Sequence, residues 1–252
     1  MLGYKELIRK YKINNLVETE HIIEKQRMIK DQEEISSLEK ACEITDNCFQ
    51  YILTYIKPGM TERQIADEIE EYYKKRTEGL SFETIVASGE NTSKPHAVPT
   101  DRKIQENDII TIDMGCKVNG YCSDMTRTFF VGEPTEEMKK VYDLVLNNQK
   151  FALDQYKEGA STRQVTKMIE NDFELNGYDL IHSLGHGVGL EIHEPPYVSL
   201  KNDTFLRENM VVTDEPGIYI PGKFGIRIED TVQITKFGCI SLTNSEKNYI
   251  II

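Results

Sequence analysis

Between residues 31 and 56 the apolar positions Ile35, Leu38, Cys42, Phe49 and Ile52 recur among Glu, Lys and Asp at the spacing of an amphipathic helix, and Lys57, Pro58 and Gly59 end it. Thr61 then caps a second helix, with Gln64 completing a capping box and Ile65, Ile69 and Tyr72 as its buried stripe. Short β-rich runs follow at 84–87, 108–114 and 121–131. The pattern predicts a third helix over 135–156, a fourth over 162–175, and strands again at 210–213 and 226–235. Blocks of helices alternating with blocks of strands argue for an α+β fold, helices covering a mainly antiparallel sheet.

An internal repeat organises these blocks. Residues 57–70, KPGMTERQIADEIE, match residues 157–170, KEGASTRQVTKMIE, with Lys57, Gly59, Arg63, Gln64, Ile69 and Glu70 recurring one hundred positions later. Later features repeat in the same order. His96 precedes an apolar run ending in Asp113, and a second run holds Asp124 two residues before Thr126. In the second half His193 precedes a VVTDE run with Asp214 and Glu215, and the next strand holds Glu229 two residues before Thr231. Two related halves, each donating a histidine and two carboxylates, point to a site on a pseudo-twofold axis.

Charge and composition narrow the classes of partner. The 252 residues carry 42 acidic and 30 basic side chains, a net charge of −12, with no basic run, which argues against nucleic acid and membrane surfaces. A content of 39% hydrophobic residues suffices for a core, no apolar stretch reaches membrane-spanning length, and MLGYKELIRKYK is not a secretory signal. A cytoplasmic protein is therefore expected. The five cysteines, Cys42, Cys48, Cys116, Cys122 and Cys239, form no CxxC pair and read as reduced thiols.

Two segments carry candidate chemistry. Asn119-Gly120 between β-rich runs is a type I′ hairpin signal; it pairs Val118 with Tyr121 and, counting outward, Asp113 with Thr126. Asp124 then lies diagonal to Asp113 on the same face, two like charges that need a cation between them if that face is buried. The second segment, HSLGHGVGLEIHEPP at 182–196, places His182, His186 and His193 in a loop that glycines allow to bend closely round a ligand. Zinc-finger, HExxH and GxSxG patterns do not fit. Up to four carboxylates with imidazole suit Mn, Co, Fe or Zn, and two divalent ions ~3.5–4 Å apart sharing a bridging hydroxide balance the charge, which implies hydrolysis. Spacing alone does not choose between Asp214 and Glu215 as a ligand.

HAVPTDR (96–102), TIDMGCKVNGYCSDMTRTF (111–129), HSLGHGVGLEIHE (182–194), DEPGIY (214–219) and GIRIEDT (225–231) together resemble the pita-bread metallopeptidases, a family of methionine aminopeptidases, prolidases and Xaa-Pro aminopeptidases. The resemblance runs from about residue 25 to the C-terminus and implies the pita-bread fold. It further implies that Asp113, Asp124, His186, Glu215 and Glu229 bind a dinuclear centre, manganese or cobalt first, zinc or iron otherwise. His96 and His193 would contact substrate and stabilise the tetrahedral intermediate, and Glu215 would move the proton to the leaving amine. A methionine aminopeptidase usually has Glu-His-Thr around its last ligand, whereas here Arg227, Ile228, Glu229, Asp230 and Thr231 stand in that stretch. That stretch, with the HEPP of 193–196, resembles the proline-specific branch. Arg227 then either orients the carboxylates through a bidentate contact or is a plain salt bridge. His182 either lines the proline pocket or only hydrogen-bonds its loop.

The resemblance implies a metal-dependent exopeptidase cleaving the N-terminal Xaa-Pro bond of peptides, as an aminopeptidase or a dipeptidase, with a homodimer as the expected assembly. Its rivals are a methionine aminopeptidase and a non-catalytic pita-bread module that binds peptide or protein. Relatives in this branch usually carry a further N-terminal domain. Residues 1–25 are accordingly expected to be a remnant of a linker or N-terminal domain, and 26–252 the catalytic domain, either cut from a longer product or naturally short.

Overall fold

The computed structural model describes residues 2–12 and 19–252. Two short helices, α1 (Leu2–Tyr11) and α2 (Ile22–Arg27), precede α3 (Gln32–Tyr55) and α4 (Glu62–Lys74). Asp31 caps α3, accepting from the amides of Glu33 and Glu34, and Thr61 caps α4 in the capping box its sequence predicts. The first half continues through β1 (Ile85–Ser88), a 3-10 turn (Gly89–Ser93), β2 (Ile109–Met114), β3 (Lys117–Val118), β4 (Tyr121–Cys122) and β5 (Met125–Phe130). After α5 (Glu136–Gln155) and α6 (Thr162–Leu175) come β6 (Gly185–Gly187), β7 (Glu194–Val198), β8 (Val211–Asp214), β9 (Gly217–Ile220), β10 (Phe224–Arg227), β11 (Asp230–Ile234) and β12 (Cys239–Ser241). Among the described residues no helix is long and apolar enough to cross a membrane.

Every strand pairing within the named sheets is antiparallel, in the orders β1-β2-β5 and β12-β11-β8-β6-β7 with the pairs β3-β4 and β9-β10. The repeat in the sequence is a repeat in space. Gly59 donates to the Ile104 carbonyl and Gly159 to the Leu206 carbonyl, both at 2.8 Å, while Ile104 and Leu206 return bonds to Met60 and Ala160, again at 2.8 Å. Both glycines sit at positive φ, 93° and 85°, a backbone conformation that other residues adopt only at a cost. Helices cover each half. Phe49, Ile52, Ile65, Ile69 and Tyr73 pack on β2 and β5, and Val145, Val165, Ile169 and Phe173 pack on β8, β10 and β11.

The hairpin register holds as counted. Asn119 and Gly120 take positive φ, Val118 faces Tyr121, and Asp113 faces Thr126. Two expected strands are each broken in two. The run at 121–131 is interrupted at Ser123 and Asp124, and the run at 226–235 at Ile228 and Glu229. The break lets the backbones of the halves meet there. Glu229 N–H donates to the Thr126 carbonyl at 3.1 Å, and Thr231 Oγ1 donates to the Asp124 carbonyl at 2.8 Å. Periodicity does not see such cross-half contacts, so it reads through both breaks.

Arg127 on β5 latches the halves together. Fully buried, it donates to Asp230 Oδ1 at 2.7 Å, to the Ser245 carbonyl at 2.8 Å and to the Glu229 carbonyl. Lys247 and Gln149 bind the other oxygen of Asp230. Removing one member of a buried ion pair leaves the other uncompensated, so Arg127→Met is expected to cost about 3–5 kcal/mol in urea unfolding. A loss under about 1 kcal/mol would show that Lys247 alone satisfies Asp230.

Candidate metal centre

A cavity of about 530 Å³ opens between the halves, and Asp113, Asp124, His186, Glu215, Glu229 and Arg227 form its floor. Asp113 comes from the end of β2, Asp124 and Glu229 from the two strand breaks, His186 from β6, and Glu215 from just beyond β8. His186 Nε2 lies 3.5 Å from Asp124 Oδ2 and 3.4 Å from Glu215 Oε1. One ligand atom each from Asp124, His186 and Glu229 fall within 4.8 Å of one another. The face that the hairpin count left open is thus the buried one. Glu215, the residue the resemblance prefers, lines the cavity, whereas Asp214 is wholly buried outside its lining.

Electrostatics favour a cation here. Burial, then the charges of Glu229, Asp113 and Glu215, push the Asp124 carboxyl well above its ordinary range. Burial and neighbouring carboxylates do the same to Glu229, and burial raises Glu215. Burial holds His186 below its ordinary value, keeping a neutral imidazole with a free lone pair. Asp113 Oδ1 is buried with no hydrogen-bond partner. Unpaired oxygens, crowded like charges and one neutral imidazole are the donor set a hard or borderline divalent ion requires, so the residues fit such an ion.

Arg227 donates from Nη2 to Asp113 Oδ2 at 2.7 Å through a single contact, not the bidentate one that was the first of its two sequence readings. Its remaining groups reach Tyr219 Oη at 2.7 Å, Thr126 Oγ1 at 3.0 Å and the Pro95 carbonyl at 3.2 Å. Burial alone would weaken its hold on the proton, but Tyr219, Asp113 and the nearby glutamates outweigh it and the pKa rises. His182 lines the cavity and hydrogen-bonds the Ser183 carbonyl at 2.8 Å and Tyr219 Oη at 3.0 Å. His96 and His193 stand exposed at the rim, and the His193 ring meets His186 edge to face, centroids 4.3 Å apart. His21 heads α2, outside the cavity lining.

Three hydroxyls escaped the sequence reading. Thr126 Oγ1 donates to Glu229 Oε2 at 2.6 Å, Thr213 Oγ1 to Glu215 Oε1 at 3.2 Å, and Tyr219 bridges Arg227 and His182. For Thr126 a signal existed, since the hairpin count set it opposite Asp113. Tyr219 closes the DEPGIY stretch of the resemblance, but nothing local to it names Arg227 or His182 as its partners.

A model of metallopeptidase family M24 matches residues 36–236. The chain belongs to metallopeptidase family M24. An Xaa-Pro dipeptidase of Pyrococcus horikoshii is 42% identical over 249 residues, 98% of this M24 chain and 71% of that protein. An uncharacterised peptidase of Bacillus subtilis is 41% identical over 240 residues, 94% of this chain and 68% of that one. In structure, an X-Pro aminopeptidase of Thermotoga maritima superposes with a TM-score of 0.92 at 37% identity, covering 99% of this chain and 72% of that one. The α+β architecture is therefore the pita-bread fold, and this M24 chain is a metallopeptidase-type hydrolase that uses a divalent metal.

Asp124→Asn keeps the shape while removing one of the crowded charges. At neutral pH the variant is expected to bind at least about tenfold less divalent metal by elemental analysis. Stripped of metal, it should melt no lower than the metal-free parent, because a repulsive partner is gone. A lower melting temperature for the stripped variant would mean that Asp124 serves the fold rather than an ion.

Proposed function

We propose that this chain is a metal-dependent exopeptidase that hydrolyses the bond between an N-terminal residue and a proline at the second position. The observation that carries the reading is that both halves send ligand-type side chains into one cavity whose rim holds two histidines and an apolar wall. Phe82, Ile85, Pro95, Val98 and Ile192 supply that wall, a surface suited to a pyrrolidine ring. The dipeptidase and aminopeptidase functions named for the relatives above support the same substrate class.

In this reading Asp113, Asp124, His186, Glu215 and Glu229 hold two divalent ions, with manganese first among the candidates. When bound, such ions polarise a carbonyl and lower the pKa of the attacking water. Thr126 and Thr213 fix the lone pairs of Glu229 and Glu215, and Arg227 fixes Asp113. His193, held below its ordinary pKa by partial burial and by the neighbouring His186, keeps one N–H to donate to the carbonyl oxygen as negative charge develops there. His96 meets the substrate from the opposite wall, with His182 and Arg227 deeper in the cleft. Glu215, beside the leaving group in this reading, carries the proton to the leaving amine.

The same reading takes 26–252 as the catalytic unit and leaves residues 1–25 outside it. A homodimer is its assembly and the cytoplasm its compartment, which the five unpaired cysteines suit. The test is to strip the protein of metal, add Mn(II) or Co(II), and assay Ala-Pro, Ala-Pro-Ala and Met-Ala-Ser. Cleavage of one or both proline peptides is expected, with His193→Ala lowering kcat by about 10²-fold or more. Cleavage of Met-Ala-Ser alone would overturn the proline assignment, and no cleavage with no bound metal would make the chain a binding module.

A further inference from the structure

Glu194 follows His193 directly and opens β7, yet it is absent from the lining of the cleft that His193 faces. Its carboxylate is 2% exposed and is held by two cations from the segment ahead of α3. Lys30 Nζ, 1% exposed, donates to Oε1 at 3.0 Å, and Arg27 Nη2 donates to Oε2. The Glu191 amide adds a bond to Oε2 at 3.3 Å. The two cations are themselves fixed. The Lys30 amide binds the Asn209 carbonyl at 2.9 Å, and Met28 and Ile29 between them pack against the core of the second half.

The loop between β6 and β7 closes round this carboxylate. A Cβ on Gly189 would lie 2.5 Å from Glu194 Oε1, so only glycine admits the contact. On the strand side, Gly187 pairs with Glu194 across a register shift after His186. The rings of His186 and His193 therefore sit at the two ends of a loop whose closure passes through Glu194.

We infer that Lys30 and Arg27 are positioning residues, which set the place of the His193 imidazole in the cleft by clamping Glu194 from behind. Hydrogen bonding and packing give the clamp no freedom to slide, and a buried carboxylate deprived of a cation moves toward water or takes up a proton. Either response shifts the strand end that carries His193. The segment just before the first core helix is thereby coupled to the active site, whatever chain precedes it.

The kinetic part of the test rests on the Xaa-Pro peptidase reading, and the exchange part does not. Lys30→Met and Glu194→Gln would be made alone and over His193→Asn, with metal content, kcat, KM and amide hydrogen exchange measured on each. In the parent background each variant is expected to lower kcat about tenfold or more, with KM within about threefold and the metal ratio unchanged. Over His193→Asn the same change should move kcat less than about twofold, because the group it positions is gone. Amides of residues 188–194 should exchange faster in both variants, with those of β1 and β2 unaffected. If Lys30→Met does not fold, the near-isosteric Glu194→Gln carries the comparison. Equal kcat losses in both backgrounds, or unchanged exchange at 188–194, would overturn the clamp. Faster exchange in a protein whose parent cleaves no Xaa-Pro peptide would overturn the peptidase reading and leave the clamp standing.

Discussion

Four carboxylates are gathered on one cavity floor, and much of this fold answers the problem they create. Asp113, Asp124, Glu215 and Glu229 would repel one another in a desolvated cleft, and burial raises the cost of every charge left unbalanced. Protein groups supply only part of the balance. Arg227 gives Asp113 one hydrogen bond, Thr126 and Thr213 give Glu229 and Glu215 one each, and Asp113 Oδ1 receives none. What remains is the coordination capacity of a divalent ion. The site is costly without a cation and satisfied with one, so metal binding and stability of the cleft are linked.

Holding those carboxylates in place falls to the seam between the halves. Each half supplies an antiparallel ladder that sets one acid, Asp113 directly by its pairing with Thr126, and Glu215 as the residue after Asp214, which pairs with Asp230. Each ladder also ends at a break that turns an acid inward, Asp124 in one half and Glu229 in the other. The breaks are tied across the seam by backbone groups of the opposite half, and Arg127 adds a buried guanidinium behind them. Each break leaves Asp124 or Glu229 outside its own half's ladder, and the backbone freed there bonds to the opposite half.

The four helices of the two halves, the Thr61 cap, the hairpin and the repeat were legible in the sequence because each rests on local chemistry, whereas α1 and α2 were not read from it. Thr61 with Gln64 and Asn119 with Gly120 act within a few residues of one another, and the cap and turn geometry matches them. The acids and histidines of the site were legible as types at repeating positions, and the choice of Glu215 over Asp214 came from resemblance rather than spacing. Long-range matters stayed hidden. Neither strand break follows from periodicity, since both depend on backbone of the other half. Tyr219 joins the site through Arg227, eight residues on but across the β9–β10 pair, and Lys30 meets Glu194 over 164 positions.

The rim histidines show how two loops with the same task are stabilised by different physics. His96 follows a turn whose anchor is Glu62, wholly buried and satisfied by neutral donors: Ser88 N and Oγ at 2.7 Å, Asn91 Nδ2 at 3.1 Å and Thr100 Oγ1 at 2.5 Å. His193 precedes Glu194, equally buried but satisfied chiefly by Lys30 and Arg27. Dipolar donors spread along one stretch of chain tolerate the loss of a single member, because the others still solvate the carboxylate. A carboxylate balanced by charge is less tolerant, since losing Lys30 leaves only Arg27 and one amide to compensate it in a low-dielectric interior. The Glu62 anchor therefore belongs to the local fold of the first half. The Glu194 anchor ties a rim histidine to a segment more than 160 residues away, so of the two walls the one carrying His193 is the more sensitive to what happens at the head of the chain.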